Sequence, residues 1–424
     1  MTILFKGSMA FAFTLGLVLV YQLEISTRWA YYGFRSIETT GEIALAIILS
    51  TLLATLIPHR NDTRCVLLTF IHYLFFIPSI ITAISWWNYT YILSIALSIS
   101  LIFIFSTLEL RRLKFMRFTK TQAMRHSLLA CTLVVLALAA TGGTRNFNLN
   151  ILSVYDFRAE SNASMPTLIS YLFSGISKLV IPILLIFAIQ LRQVMVAIFT
   201  LILVVLMFGM THHKSVLFLP CVVGVLFMIL SRSRNILYLP ALFTLVVFVS
   251  LAEVLYAQQN QQIAFFTSFV TRRVFFLPPL LDTFYIDFFD QQKLLFWSTS
   301  RFGFGFMDNP YFTTAPHLIG DARFGSETTG ANSGAVGSGF AHAGLLGVAV
   351  YSAIIGLLVA YLNANGKVIG HPLAASASLS IVMTIVNTSD LSTAVLTHGL
   401  LILLVIIVIM PRHSNSNTRE GLSN

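Results

Sequence analysis

Six basic residues stand out in this sequence for the segments they occupy: Arg145, Arg158, Lys214, Arg272, Arg273 and Arg323. Each lies in or beside a stretch that is otherwise apolar or weakly acidic. A guanidinium offers planar donors that match phosphate oxygens two at a time. Gathered above a set of membrane helices, such groups would grip a phosphate or pyrophosphate, with a lipid tail left in the bilayer. Lys214 follows the paired His212 and His213 in the tight turn GMTHHKS, between two apolar runs. A charge at that depth is costly unless it serves a cavity or a partner. The adjacent histidines point to different sides of a helix and make no metal site by themselves. Cys65, Cys131 and Cys221 show no ligand spacing and read as small core residues. No metal or cofactor is expected.

The elements that hold these residues are dictated by composition. Of 424 residues, 57% are hydrophobic and only 10% charged, and mean hydropathy is +0.84. A soluble domain carries about 25% charged residues. This chain cannot give several soluble domains a water-facing surface, and it is too apolar for disorder. The expected fold class is an all-α polytopic integral membrane protein. Twelve stretches fit the roughly 20-residue requirement for a span. They are 8–23, 41–57, 66–83, 90–107, 127–141, 168–190, 194–210, 215–230, 236–256, 339–362, 371–387 and 391–410. The first follows Lys6 and lacks a small-residue cleavage site, so it reads as a retained helix.

Lysine and arginine set the orientation. With a cytoplasmic N-terminus and alternating spans, both termini are cytoplasmic. The inner face then carries about +12 and the outer face about −2, out of a net charge of +10. The basic run Arg111–Arg125 is the strongest anchor and reads as a contact with anionic membrane lipid, not with nucleic acid. Trp29, Trp86, Trp87 and Trp297 all fall in outer segments, as indole's preference for the interface requires.

Two outer segments are long enough to carry function. Residues 142–167 hold Arg145, Tyr155, Asp156, Arg158 and Glu160. Residues 257–338 form a large loop. The chain thus divides into a bundle of nine spans over 1–256, the loop 257–338, three C-terminal spans over 339–410 and a tail over 411–424. In the loop, Pro278 and Pro279 open a helix. From Leu280 to Trp297 it is apolar almost all round, broken by Asp282, Asp287, Asp290 and Lys293. Such a helix lies in the membrane interface or packs on the roof of the bundle. A glycine-rich run with Arg323, Glu327 and Asn332 follows, and GSGFAHAGLLGV then places His342 at the outer mouth of the tenth span.

The succession VYDFRAE (154–160), GMTHHKS (209–215), RRVFFLPPLLDTFYIDFF (272–289) and ANSGAVGSGFAHAGLLGV (331–348) resembles the Wzy-type O-antigen polymerases. The likeness covers about residues 140–360 and is strongest in Tyr285–Phe289 and in the pattern Asn332, Gly337, Gly344, Gly347. The four N-terminal spans add only hydropathy. The resemblance implies a membrane glycosyltransferase of the C type in the bacterial inner membrane. It would move a growing chain from its polyprenyl pyrophosphate onto a new lipid-linked repeat unit during lipopolysaccharide biosynthesis. The carrier would be undecaprenyl pyrophosphate and a partner would be a chain-length regulator.

On that reading Arg158, Lys214, Arg272, Arg273 and Arg323 bind pyrophosphate, and Asp287 or His342 takes the acceptor proton. Tyr285 and Phe289 stack on sugar or shape the entrance, with Arg145 and Asn332 as further sugar contacts. Each has a plainer reading: Asp287 as a helix-surface carboxylate, His342 as a helix-end hydrogen bonder, Arg273 as an interfacial anchor. A polysaccharide flippase or other secondary transporter would place charge near the membrane midplane. An O-antigen ligase would share the lipid pyrophosphate but accept lipid A core. A structural scaffold would tolerate loss of the outer charges.

Overall fold

The computed structural model describes residues 2–412 except 112–115, 146, 151–164, 233–235, 301, 302 and 304. Among the described residues all regular structure is helical. Nine helices among the described residues are long and apolar enough to cross a membrane, from Ile3–Arg28 to Ala335–Ile369. A tenth candidate, Leu391–Thr397 with Leu400–Ile409, is bent by 59° at the left-handed Gly399. Each of the twelve stretches expected to span is helical. Thr40–Leu56 and His371–Asn387, however, are only 17 residues each, about 26 Å at 1.5 Å per residue.

Polar residues at the boundaries explain where several helices begin. Thr39 and Glu42 form a reciprocal capping box, as do Thr119 and Gln122. Asp62 and Asn88 accept from the backbone N–H groups of Cys65 and Tyr91. Three π-helical turns, His72–Phe76, Ile176–Val180 and Thr267–Phe276, run directly into Pro78, Pro182 and Pro278. Proline lacks an N–H and its ring crowds the carbonyl four residues back. Widening the preceding turn relieves both problems within a continuous helix.

Two compact units are present. The first comprises residues 1–108, 234–360 and 382–393. Within it the N-terminal helix packs on Thr40–Leu56 and Tyr238–Gln259. Buried Lys6 donates to the carbonyl of Ile57, 2.7 Å away, where the Thr40–Leu56 helix ends and a cation is favoured. The Leu277–Phe289 helix, expected in the membrane interface or on the roof of the bundle, is part of this unit's core. It packs on Ile77–Trp86 and Tyr89–Ser106, and most of its residues are buried. The 257–338 segment is therefore largely structured, with a further helix at Ala315–Phe324. The second unit comprises 109–233, 361–381 and 394–424, so compactness follows different limits from the loop-and-bundle division of the sequence.

The Ala335–Ile369 helix is broken at Ala343–Gly344. Gly344 adopts φ 60°, ψ −143°, a conformation open to glycine alone. At the break the carbonyls of Ala341 and His342 turn outward and accept from the N–H groups of Leu295 and Phe296, both at 2.9 Å. Gly339 and Gly347 meet backbone to backbone, leaving no room for a Cβ on either.

Candidate functional site

A belt of aromatic rings in the first unit carries three arginines. Arg272 lies with its Cζ 3.8 Å from the Trp29 ring centroid and 5.3 Å from that of Tyr32. Tyr32 meets Phe324, Phe324 meets Phe284, and Phe284 meets Trp86, with centroids 5.8 to 5.9 Å apart. Arg323 sits 5.1 Å over Phe284, and Arg35 sits 3.8 Å over Trp86. Each cation faces the negative face of a ring, an attraction of about 0.5–2 kcal/mol. Arg323 also forms an ion pair with Asp287, their side chains 29% and 38% exposed.

Arg272 differs from its neighbours in burial. It is 6% exposed, its Nε has no hydrogen-bond partner, and no carboxylate pairs with it among the described residues. Burial first, then the adjacent Arg273, lowers its pKa, against a weaker opposing effect of Tyr32 and Tyr31. A guanidinium remains charged even so. A buried, ring-stacked cation with an open donor is a site built for an anion.

The remaining expected residues are placed as follows. Arg273 is exposed and stacks on Phe269, 5.3 Å away. Asn332 is exposed. Tyr285 and Phe289 are 1% and 2% exposed. Tyr285 donates to the carbonyl of Ala331 at 2.9 Å, and burial raises its pKa. Their rings therefore fill the core and offer no open face to a sugar, contrary to expectation, because the helix that carries them is buried nearly all round. Arg145 and Lys214 belong to the second unit. There Arg145 is exposed beside Gly142, and Lys214 begins the Lys214–Arg232 helix. His212 is buried with φ 56°, while the ring of His213 lies 5.7 Å from that of Phe173. Arg158 lies outside the described residues. Among those described, no three His, Cys, Asp or Glu residues gather as a metal site would require.

His342 is 4% exposed and part of a closed hydrogen-bond circuit in the first unit. Its Nδ1 accepts from the Trp297 backbone N–H at 3.3 Å, and its Nε2 faces Asp390 at 3.2 Å. The first contact fixes the proton on Nε2, which donates to the carboxylate. Tyr351 donates to Asp390 at 2.7 Å and accepts from the Trp297 indole N–H at 2.9 Å. The Trp297 ring stacks on His342 at 5.2 Å and 13°. Burial opposes ionisation of Asp390, but hydrogen bonds from His342, Ser392 and Tyr351 outweigh it and hold the carboxyl below its usual pKa. Both ring nitrogens of His342 are thus occupied, and the histidine positions the Trp297 backbone. Beside the break at Ala343–Gly344, His342 makes the contacts of its plainer reading, a helix-end hydrogen bonder.

Two acids escaped selection as candidates. Asp390 sits in the short link before Leu391, where its Oδ2 accepts from the Ser392 N–H at 3.0 Å. The run Ser389-Asp390-Leu391-Ser392 carries the usual N-cap signal. Asp282 is 1% exposed. Its Oδ1 accepts from Ser333 Oγ at 2.5 Å and from the Gly337 N–H at 3.2 Å, and its Oδ2 has no partner. Burial raises its pKa to about 7, outweighing the hydrogen bonds from Ser333, Gly337 and Gly334. An acid set among apolar residues of the Leu277–Phe289 helix is its signal; its partner Ser333 is too distant in sequence to be inferred.

No protein-family model matches the chain, no curated protein matches it, and no solved structure matches its fold.

Proposed function

We propose that the chain is an O-antigen polymerase of the bacterial inner membrane, of the glycosyltransferase-C type, acting on polyprenyl-pyrophosphate-linked repeat units on the periplasmic side. The observation that carries this reading is Arg272, a buried cation without a carboxylate partner among the described residues, on the same aromatic belt as Arg323. The sequence motifs that resemble the Wzy-type enzymes supply the substrate class. The apolar helices supply the membrane setting.

In the reaction the acceptor hydroxyl attacks the anomeric carbon of the donor chain and the lipid pyrophosphate departs. Arg272 and Arg323 stabilise the charge that grows on the leaving group. Asp287, partly exposed beside Arg323, accepts the hydroxyl proton. A chain-length regulator would act alongside.

A second reading, secondary transport, rests on a different observation in the second unit. Lys178, within the Thr167–Gln190 helix, lies 3.0 Å from His398 Nδ1, beside the bend of the Leu391–Ile409 pair. Charge next to a discontinuous helix is a transporter feature.

One experiment separates the readings. Cells lacking a polymerase cap their lipopolysaccharide core with a single repeat unit, whereas cells lacking a flippase or a ligase add none. Single-unit caps in a deletion strain, restored to long chains by the wild-type gene but not by Arg272→Ala at equal protein level, are the expected result. Loss of all repeat units, or full rescue by Arg272→Ala, would overturn the polymerase reading.

A further inference from the structure

The second unit contains a cavity of about 470 Å³ that the proposed reaction does not use. Its polar rim is made by helix ends: Lys120 at the start of Lys120–Leu138, Gln190 at the end of Ile181–Gln190, and Ser231 and Arg232 at the end of Lys214–Arg232. Its walls are apolar, formed in part by buried Phe227 and Leu373. No acidic residue lines it among the described residues. Neither Lys120 nor Arg232 pairs with a carboxylate among the described residues. Both cations lie on the face that the lysine and arginine distribution marks as cytoplasmic. The volume falls within the roughly 300–1,000 Å³ of small-molecule sites.

We propose that this cavity binds an anionic phospholipid of the inner leaflet. The phosphodiester lies between Lys120 and Arg232, with Gln190 and Ser231 offering hydrogen bonds, and the first acyl carbons lie along Phe227 and Leu373. Charge complementarity selects the headgroup. Two cations and no acid favour a net negative lipid over a zwitterionic one, and basic residues near a membrane surface attract such lipids. The apolar wall selects a lipid over a free phosphate ion, which would gain nothing from it.

The full-length protein in detergent, mixed separately with phosphatidylglycerol, phosphatidylcholine or inorganic phosphate and read by native mass spectrometry, tests this. Retention of phosphatidylglycerol well above phosphatidylcholine, with no competition from millimolar phosphate, is expected. The Lys120→Gln/Arg232→Gln variant should weaken phosphatidylglycerol retention by about 30-fold, at roughly fivefold per cation. Ser231→Trp, which fills the rim and keeps both charges, should weaken it as well, and answers the question alone if the double variant does not purify. Equal retention of the two lipids, displacement by free phosphate, or undiminished binding in these variants would overturn the proposal.

Discussion

The guanidinium of Arg272 stacks 3.8 Å from the ring centroid of Trp29 and is buried there without a carboxylate partner among the described residues. A lysine would keep the charge but lose both the planar stacking surface and the paired donors. If the chain is the polymerase proposed above, Arg272→Lys lowers the rate by on the order of tenfold or more, and Arg272→Ala by about 100-fold, the scale of losing one donor to a developing anion. Reconstituted protein with lipid-linked repeat units gives the rates. A lysine variant as active as the wild type would show that charge alone suffices.

The Asp282 carboxyl predicts a pH dependence of stability. Its pKa of about 7 in the folded chain lies above the ordinary value of 3.8. The unfolded chain thus releases this proton first as pH rises. Stability is unaffected below about pH 4, falls between about pH 4 and 7, and stays low above, by up to about 4 kcal/mol. Asn at this position keeps an acceptor for Ser333 and Gly337 but carries no charge. Melting temperatures in detergent across this range should fall for the wild type relative to Asp282→Asn, the gap opening between about pH 4 and 7. Parallel slopes would show that another group titrates.

His342, with both ring nitrogens engaged, should behave as a positioning residue. His342→Ala should lower the melting temperature and reduce the rate by a constant factor at every pH. A change in the shape of the rate–pH profile would instead mark it as the group that takes the proton. Tyr351→Phe leaves the indole N–H of Trp297 without its partner and takes one donor from Asp390. A cost of about 1–3 kcal/mol follows, measurable by denaturation in detergent.

At the helix break, Gly344→Ala forces a side chain into backbone space that only glycine occupies freely. The expected cost is about 1–3 kcal/mol. Ala at Gly347 meets the carbonyl of Gly339 and should be at least as damaging. Gly325, also left-handed at φ 63° but with open space where a Cβ would stand, provides the control for strain without collision.

The helical, membrane-embedded character of the chain followed from hydropathy because apolar runs have few other solutions in a bilayer. The pair Arg272 and Arg273 was legible as two adjacent cations before the apolar VFFLPP, but which of them is buried depends on rings from distant segments. Local sequence also produced the misplacement of Tyr285 and Phe289. A helix apolar all round was expected at an interface or on the roof, and the same pattern describes a helix enclosed by neighbours. Asp282, Ser333 and Gly337 are brought together by folding across some fifty residues. So are Trp297, His342, Tyr351 and Asp390, and no spacing rule reaches so far. Arg35 carries no local signal, because it lies in the irregular 34–39 link and its partner Trp86 ends a helix some fifty residues further on.

The four-residue circuit through Trp297, His342, Tyr351 and Asp390 draws its members from stretches far apart along the chain. It stays open until Asp390 has been synthesised. The segment around Trp297 must wait, only partly anchored, while the helix carrying His342 and Tyr351 and the one after it enter the bilayer. This corner therefore closes late in synthesis, after Asp390 has been added and with only the Leu391–Thr397 and Leu400–Ile409 helices still to follow. A premature stop before Asp390 would leave earlier helices inserted around an unfinished joint, a ready target for membrane proteases.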